Sequence, residues 1–384
     1  MTRSRKIIGA GCVVLALLAN PWFLASFVVL DGHLERPGRV LIADGVLLLV
    51  GLLLLFWPSK PAVVEREQSG HEKVFAIVTL TVTGVLALAA AELVLRVAVS
   101  PLTVLDGDAW WEAQWQIEQE QRESDEQVSY PFDRFDSTYG WLPMPNYAQD
   151  GVETNSLGIR ASREYSFEPA EGVSRVVALG DSFTWGENTW EGPIKNEETF
   201  TAVLERKREQ TEVLNLGVHG WGTDQQYLYL KDMGLRFRPK VVLLGFYEGD
   251  MERNGLTFFA FAKPSFELSD GALELRGVPV PSLEEVRNRP REMPSFYLGS
   301  LLRKSANYVL DKTKLRPIEE RRDWQITRAL FDEARREGEA AGASFVLIFI
   351  PYGADEHPSA IERAVMTWSR DTGAHLINMR EVFA

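Results

Sequence analysis

Val176-Val177-Ala178-Leu179-Gly180-Asp181-Ser182-Phe183-Thr184-Trp185-Gly186 decides how the chain is read, because an apolar run breaks abruptly into Gly-Asp-Ser. Val176 to Leu179 is rich in β-branched residues and uninterrupted, the pattern of a parallel strand covered on both faces. Gly180 allows a tight turn with close backbone approach, which a side chain there would obstruct. Ser182 then stands just past the carboxyl end of the strand, where open α/β sheets place their ligands, with its own N–H pointing the same way. Alone, the tripeptide is also compatible with an ordinary turn or a helix N-cap.

Two later segments repeat the pattern. Val213-Leu214-Asn215-Leu216-Gly217 is a second apolar strand ending in glycine, followed by Val218-His219-Gly220-Trp221-Gly222. Val241-Val242-Leu243-Leu244-Gly245 is a third, and it runs into Phe246-Tyr247-Glu248-Gly249-Asp250. Three apolar strands separated by helical patterns, each with a small or polar tip, describe an α/β fold: a parallel sheet whose loops converge on one edge.

At this point the chain resembles the SGNH, or GDSL-like, hydrolase family. Gly180-Asp181-Ser182 matches its nucleophile block, and Gly249-Asp250 lies where the family has Asn-Asp. Tyr139-Gly140-Trp141-Leu142-Pro143 and Thr154-Asn155-Ser156-Leu157-Gly158-Ile159-Arg160 resemble the extension that precedes the serine in a membrane-anchored branch. The likeness therefore covers most of residues 128–384. It implies a three-layer, flavodoxin-like parallel sheet domain.

The resemblance also assigns roles. Ser182 is the expected nucleophile, with the N–H groups of Ser182 and Gly217 as oxyanion donors. A third donor, the family's Asn side chain, is missing because the position is Gly249, unless Asn254 or a backbone amide replaces it. The family's base is a histidine in an Asp-x-x-His block after the last strand, and none follows Met379. Either the chain is a fragment, or a different histidine has the role, or the protein does not catalyse; His357, in Asp355-Glu356-His357, is the first candidate base, since this tripeptide resembles the Asp-x-His pair that precedes the serine in polysaccharide O-acetyltransferases, with an ordinary surface role as the alternative. His219 is a weaker candidate, and His375 belongs at the opposite edge. Asp181 and Asp250 are expected to hold their turns. Trp185, His219, Trp221, Gly249 and Asn254 are the candidate substrate-binding residues, although both tryptophans are equally compatible with packing in a core or lid.

The first hundred residues read as a membrane domain, 1–99, with three transmembrane helices. Ile7 to Leu30, Val40 to Trp57 and Val74 to Leu95 are each apolar over about the 20 residues a helix needs to cross a bilayer. Arg3, Arg5 and Lys6 at the start, with Lys60, Arg66 and Lys73 in the second loop, place the N-terminus in the cytoplasm and the large domain outside it. Glu92 and Arg96 are expected to form an ion pair at the exit of the third span. A linker at 100–127 follows, whose Trp110, Trp111 and Trp115 suit either the bilayer interface or an amphipathic packed helix. The domain at 128–384 carries an insertion at about 252–320, with a hairpin near Phe266 to Leu275 and a helix from Tyr297, suited to a lid or substrate wall.

The net charge is −13, and the first 97 residues carry nine Lys or Arg against seven Asp or Glu, which leaves −15 on the remainder. That balance excludes nucleic acid as a partner. The only cysteine, Cys12, lies in the first span, so the outer domain has no disulfide or thiolate metal site. No cofactor or metal is expected. The sequence reading is thus a membrane-anchored, extracytoplasmic serine esterase or O-acyltransferase. Its partners are an acylated carbohydrate or other ester, the lipid bilayer, and envelope polysaccharide assembly proteins. A catalytically silent glycan-binding scaffold is the alternative.

Overall fold

The structure is a computed structural model and describes residues 70–121, 130–188, 192–312, 317–353 and 357–383, together with isolated positions before residue 70. Its centre is a five-stranded, wholly parallel sheet built from β1 (Ser174–Leu179), β2 (Thr211–Asn215), β3 (Val241–Tyr247), β4 (Ser344–Ile350) and β5 (His375–Asn378). The strand order is β5-β4-β3-β1-β2. The chain leaves β1 toward one edge and returns on the other side through β3, so the switch point lies between β1 and β3. Crevices at that point, outside the carboxyl ends, are where such sheets bind ligands.

Strand alternation distributes the apolar residues over both faces. Val177, Leu179, Leu214, Val242, Leu244, Leu347 and Phe349 enter the main core, and Val176, Ala178, Val213 and Leu243 form a smaller cluster opposite. Continuous apolar runs are needed because both faces are covered. The main core is closed by helices that include Thr223–Asp232 and Arg322–Ala340; the latter contributes Leu330, Phe331 and Ala334. The hairpin in the insertion pairs Ser265–Ser269 with Ala272–Arg276 in antiparallel register.

The chain divides into two compact units, residues 107–291 with 316–384, and residues 1–106 with 292–315. This division shifts the expected boundaries. Within the expected linker, helix Gly107–Gln121 belongs to the sheet unit, where Trp115 packs on Phe258 and Phe261 and Trp111 on Phe259. Trp111 and Trp115 thus pack on the sheet unit, whereas Trp110 meets only the ring of Trp111 among the described aromatic contacts. Helix Tyr297–Lys312, expected in a lid or wall of the sheet domain, belongs to the other unit.

In that unit Tyr297, Leu298 and Leu301 pack with Ala91, Leu95, Val99 and Val104. Glu92 makes the expected ion pair with Arg96 at 2.8 Å, and it also accepts hydrogen bonds from Tyr297 N at 3.0 Å and Leu298 N at 2.9 Å. A carboxylate there satisfies orphan donors at a helix start. Arg96 Nη2 donates to Ser295 O at 2.6 Å.

The first two expected spans lie outside the described residues apart from isolated positions. The third falls within a 29-residue helix, Gly70–Ala98, of which many side chains also lie outside them. Among the described residues, no helix is long and apolar enough to cross a membrane.

Candidate active site

The loop after β1 is shaped by its short side chains. Asp181 Oδ1 accepts from Phe183 N at 3.0 Å and caps the one-turn helix Ser182–Trp185. A Cβ on Gly180 would collide with Thr184, so glycine is required for the turn to fold back on the strand. Ser182 is half-buried at the start of this turn, beside the switch point. The far end of the turn closes through Gly186 at φ 94° and is capped by Arg160, which donates to Trp185 O at 2.6 Å and Gly186 O at 3.0 Å. The upstream Asn-Ser-Leu-Gly-Ile-Arg block thereby holds the serine turn in place. Burial among these carbonyls pulls the Arg160 pKa down to about 10.

The loop after β2 runs alongside. Leu216 N donates to Ala178 O at 2.8 Å and Val218 N to Gly180 O at 3.0 Å, so strand-like pairing continues past both glycines. Gly217 differs from expectation: its N–H donates to the buried Asn215 Oδ1 at 3.0 Å, which removes it as an oxyanion donor. What requires glycine there is contact, since a Cβ would stand 2.5 Å from Trp185 N. Gly220, two residues beyond the Val218–Gly180 bond, has φ 74°, and its N–H has no acceptor among the described residues. Trp141, from the other upstream block, fixes this loop by donating Nε1 to His219 O at 3.0 Å.

His219 turns inward, 1% exposed, and its Nε2 lies 2.6 Å from Asp133 Oδ2. Tyr130, Phe132 and Trp185 surround its ring. Burial raises the Asp133 pKa against the pull of His219. Buried Trp185 and Trp221 have no face free for a sugar, so neither they nor His219 lines an open site. Sequence spacing places a residue in a loop without telling which way it points, and each of these points into the core.

The loop after β3 carries the largest surprise. A Cβ on Gly249 would lie 2.6 Å from Cε1 of Tyr247, so the tyrosine ring crowds the position where the family has Asn. Asn254 does not replace it. That side chain is buried, accepts from Asp224 N at 3.2 Å and donates to Thr327 Oγ1 at 2.8 Å. Arg253, which the sequence reading passed over, instead reaches the centre: Nη1 lies 3.0 Å from Asp181 Oδ2, 2.7 Å from Asp250 Oδ1 and 3.3 Å from Trp221 O. One guanidinium nitrogen therefore ties all three motif loops together.

Two wholly buried carboxylates share this one cation. Burial raises the pKa of Asp181 against the pull of Arg253, and burial together with the neighbouring Asp181 raises that of Asp250 well above the usual range. Burial works against the charge of Arg253, but Asp250 and Asp181 outweigh it and raise its pKa. Toward solvent stands a row of aromatic rings. Phe183, 45% exposed, lies 4.9 Å from Tyr247, whose ring in turn stacks at 5.9 Å on Tyr352, 80% exposed.

Of the three histidines in the sheet unit, His357 is exposed and follows β4, whose carboxyl end lies on the same edge as Ser182. Its neighbours Asp355 and Glu356 lie outside the described residues. His375 opens β5 at the opposite edge, as expected. Among the described residues, no group of three or more His, Cys, Asp or Glu is placed to hold a metal ion.

No protein-family model and no curated protein matches the chain. Solved structures do. One is described as a lipolytic protein of the G-D-S-L family from Desulfitobacterium hafniense DCB-2, with 16% identity over 54% of this chain and 77% of its own, at a TM-score of 0.28. A mutant of the acetylxylan esterase Axe2 from Geobacillus stearothermophilus has 13% identity over 55% and 78%, also at 0.28. An alpha/beta hydrolase from the metagenome of Lake Arreo, Spain, has 12% identity over 55% and 78%, at 0.29. At these identities and TM-scores the likeness assigns no activity to the chain, and the functional reading rests on the geometry above.

Proposed function

We propose that the chain is an SGNH-type serine esterase in which Ser182 Oγ attacks the carbonyl of an ester. The observation that carries this reading is the half-buried Ser182 just past the carboxyl end of β1, beside the switch point of the sheet; the Gly220 amide, without an acceptor among the described residues, is the second donor this reading assigns. As the Oγ–carbon bond forms, the serine proton passes to His357 and the carbonyl π electrons become an oxyanion facing the N–H groups of Ser182 and Gly220. The tetrahedral intermediate then expels the alcohol, which takes the proton from His357, and leaves an acyl-enzyme. Water completes hydrolysis; a sugar hydroxyl in its place completes O-acyl transfer.

The row of half-buried Tyr247 between exposed Phe183 and Tyr352 supports an acylated glycan as substrate, because sugar rings present C–H faces to aromatic rings. Exposed Ile77, Val85, Leu86, Leu93 and Val97 on Gly70–Ala98 support a membrane anchor, with the esterase outside the cytoplasm. Envelope polysaccharide assembly proteins are the partners such an anchored enzyme would meet.

Steady-state hydrolysis of p-nitrophenyl acetate tests the reaction. Turnover that Ser182→Ala lowers by roughly 10³-fold or more supports it, and His357→Ala is expected to lower kcat with little change in KM. Turnover indifferent to Ser182 would refute it. The vacant Asn position at Gly249 and the engagement of His219 with Asp133 favour a second reading, a silent glycan-binding scaffold. That reading predicts glycan binding with no turnover.

A further inference from the structure

Arg253 does more in this structure than neutralise a carboxylate. Its Nη1 alone contacts Asp181, Asp250 and Trp221 O, while Nε and Nη2 have no acceptor among the described residues. The side chain is 15% exposed, so the guanidinium is largely desolvated without being sealed. Its plane is held by two rings, Phe259 with its centroid 4.7 Å from Cζ and Tyr247 at 5.6 Å. Phe183, the residue after Ser182, packs at a tilt against the same Tyr247. An immobile cation with two unused donor nitrogens, Nε and Nη2, thus contacts Asp181, the residue before the proposed nucleophile. It does so in a loop that has lost the side-chain donor at Gly249 and whose Asn254 is committed elsewhere.

We propose that Arg253 is a catalytic donor, its guanidinium stabilising the oxyanion formed at Ser182 in place of the side chain that Gly249 lacks. This rests on the esterase reading above. Arg253 transfers no proton: it donates a charge-assisted hydrogen bond to the oxygen that gains the carbonyl π electrons, and the bond weakens when the carbonyl re-forms. A counter-ion role alone would need only Nη1, and lysine would fill it. Fixed donors act most strongly on charge that develops during the reaction, so the proposal requires a loss in kcat with KM preserved.

The test is Arg253→Lys in the full chain. This variant keeps a cation between Asp181 and Asp250 and removes the free Nε and Nη2. With p-nitrophenyl acetate, kcat is expected to fall about 100-fold with KM within about twofold, and far-UV circular dichroism is expected to match wild type. A second variant, Arg253→Ala with Asp250→Asn, removes one cation and one carboxylate together and so keeps the net charge of the buried cluster if the lysine variant does not fold, and millimolar guanidinium, which can pair with Asp181, is expected to restore part of its kcat. Wild-type kcat in Arg253→Lys, a raised KM with kcat retained, or a loss that guanidinium leaves unchanged would each overturn the proposal while leaving a Ser182 esterase intact. An inactive wild type, by contrast, would remove the esterase reading and this proposal together.

Discussion

Gly217 and Asp250 show how single residues set the site. A methyl group at Gly217 would stand 2.5 Å from Trp185 N and 2.8 Å from the Thr184 carbonyl carbon, both backbone atoms that cannot move without shifting the serine turn. Gly217→Ala is therefore expected to lower stability by about 1–3 kcal/mol in denaturant titration. Asp250 is buried beside Asp181, and its folded pKa is raised well above 3.8. A carboxyl raised on folding stabilises fully below its unfolded pKa, and that stabilisation is lost as pH rises through the folded value. As pH rises above the ordinary carboxylate range, Tm is thus expected to fall less in Asp250→Asn than in wild type; equal slopes would show that Asp250 does not lose a proton there. Residue identity foretold Ser182 and its place after a strand. It did not foretell that Asn215 takes the Gly217 N–H, because the same glycine signature serves both an exposed donor and a tight contact. Arg253 carried no sequence signal, since an arginine in an insertion reads as surface.

At the scale of elements, the sheet was legible because β-branched runs without polar interruption have few alternatives, as Val176 to Leu179 in β1 and Val241 to Leu244 in β3 show. The helices around it follow their apolar spacing, and Arg322–Ala340 buries Trp324, Ile326, Leu330, Phe331 and Ala334 along one stripe. The orientation of the loops was not legible, because hydrogen bonds between segments far apart in sequence decide it. Helix Gly107–Gln121 illustrates this. Asp108 accepts from Thr257 N at 2.7 Å, Thr257 Oγ1 at 2.9 Å and Phe258 N at 2.9 Å, and so fastens the helix to the loop following Arg253. Asp108→Ala is expected to cost about 1–2 kcal/mol after allowance for solvent screening. Hydrogen exchange at Thr257 and Phe258 should quicken with it; unchanged exchange there would mean that the loop holds without the carboxylate.

For the whole molecule, two units with different surfaces share one chain. The sheet unit packs its apolar residues inward around the site, whereas Gly70–Ala98 displays apolar residues outward. If that surface meets lipid, the full chain stays in the membrane fraction after alkaline carbonate washing. Release into the supernatant would contradict anchoring and leave the chemistry untouched. The proposed chemistry depends on a serine made reactive by three loops on one sheet edge. Treating the full chain with a fluorophosphonate and mapping the adduct by peptide mass spectrometry tests this directly. The account predicts modification of Ser182 in the wild type and none in Ser182→Ala, and an unmodified Ser182 under conditions that saturate a control serine esterase would contradict it.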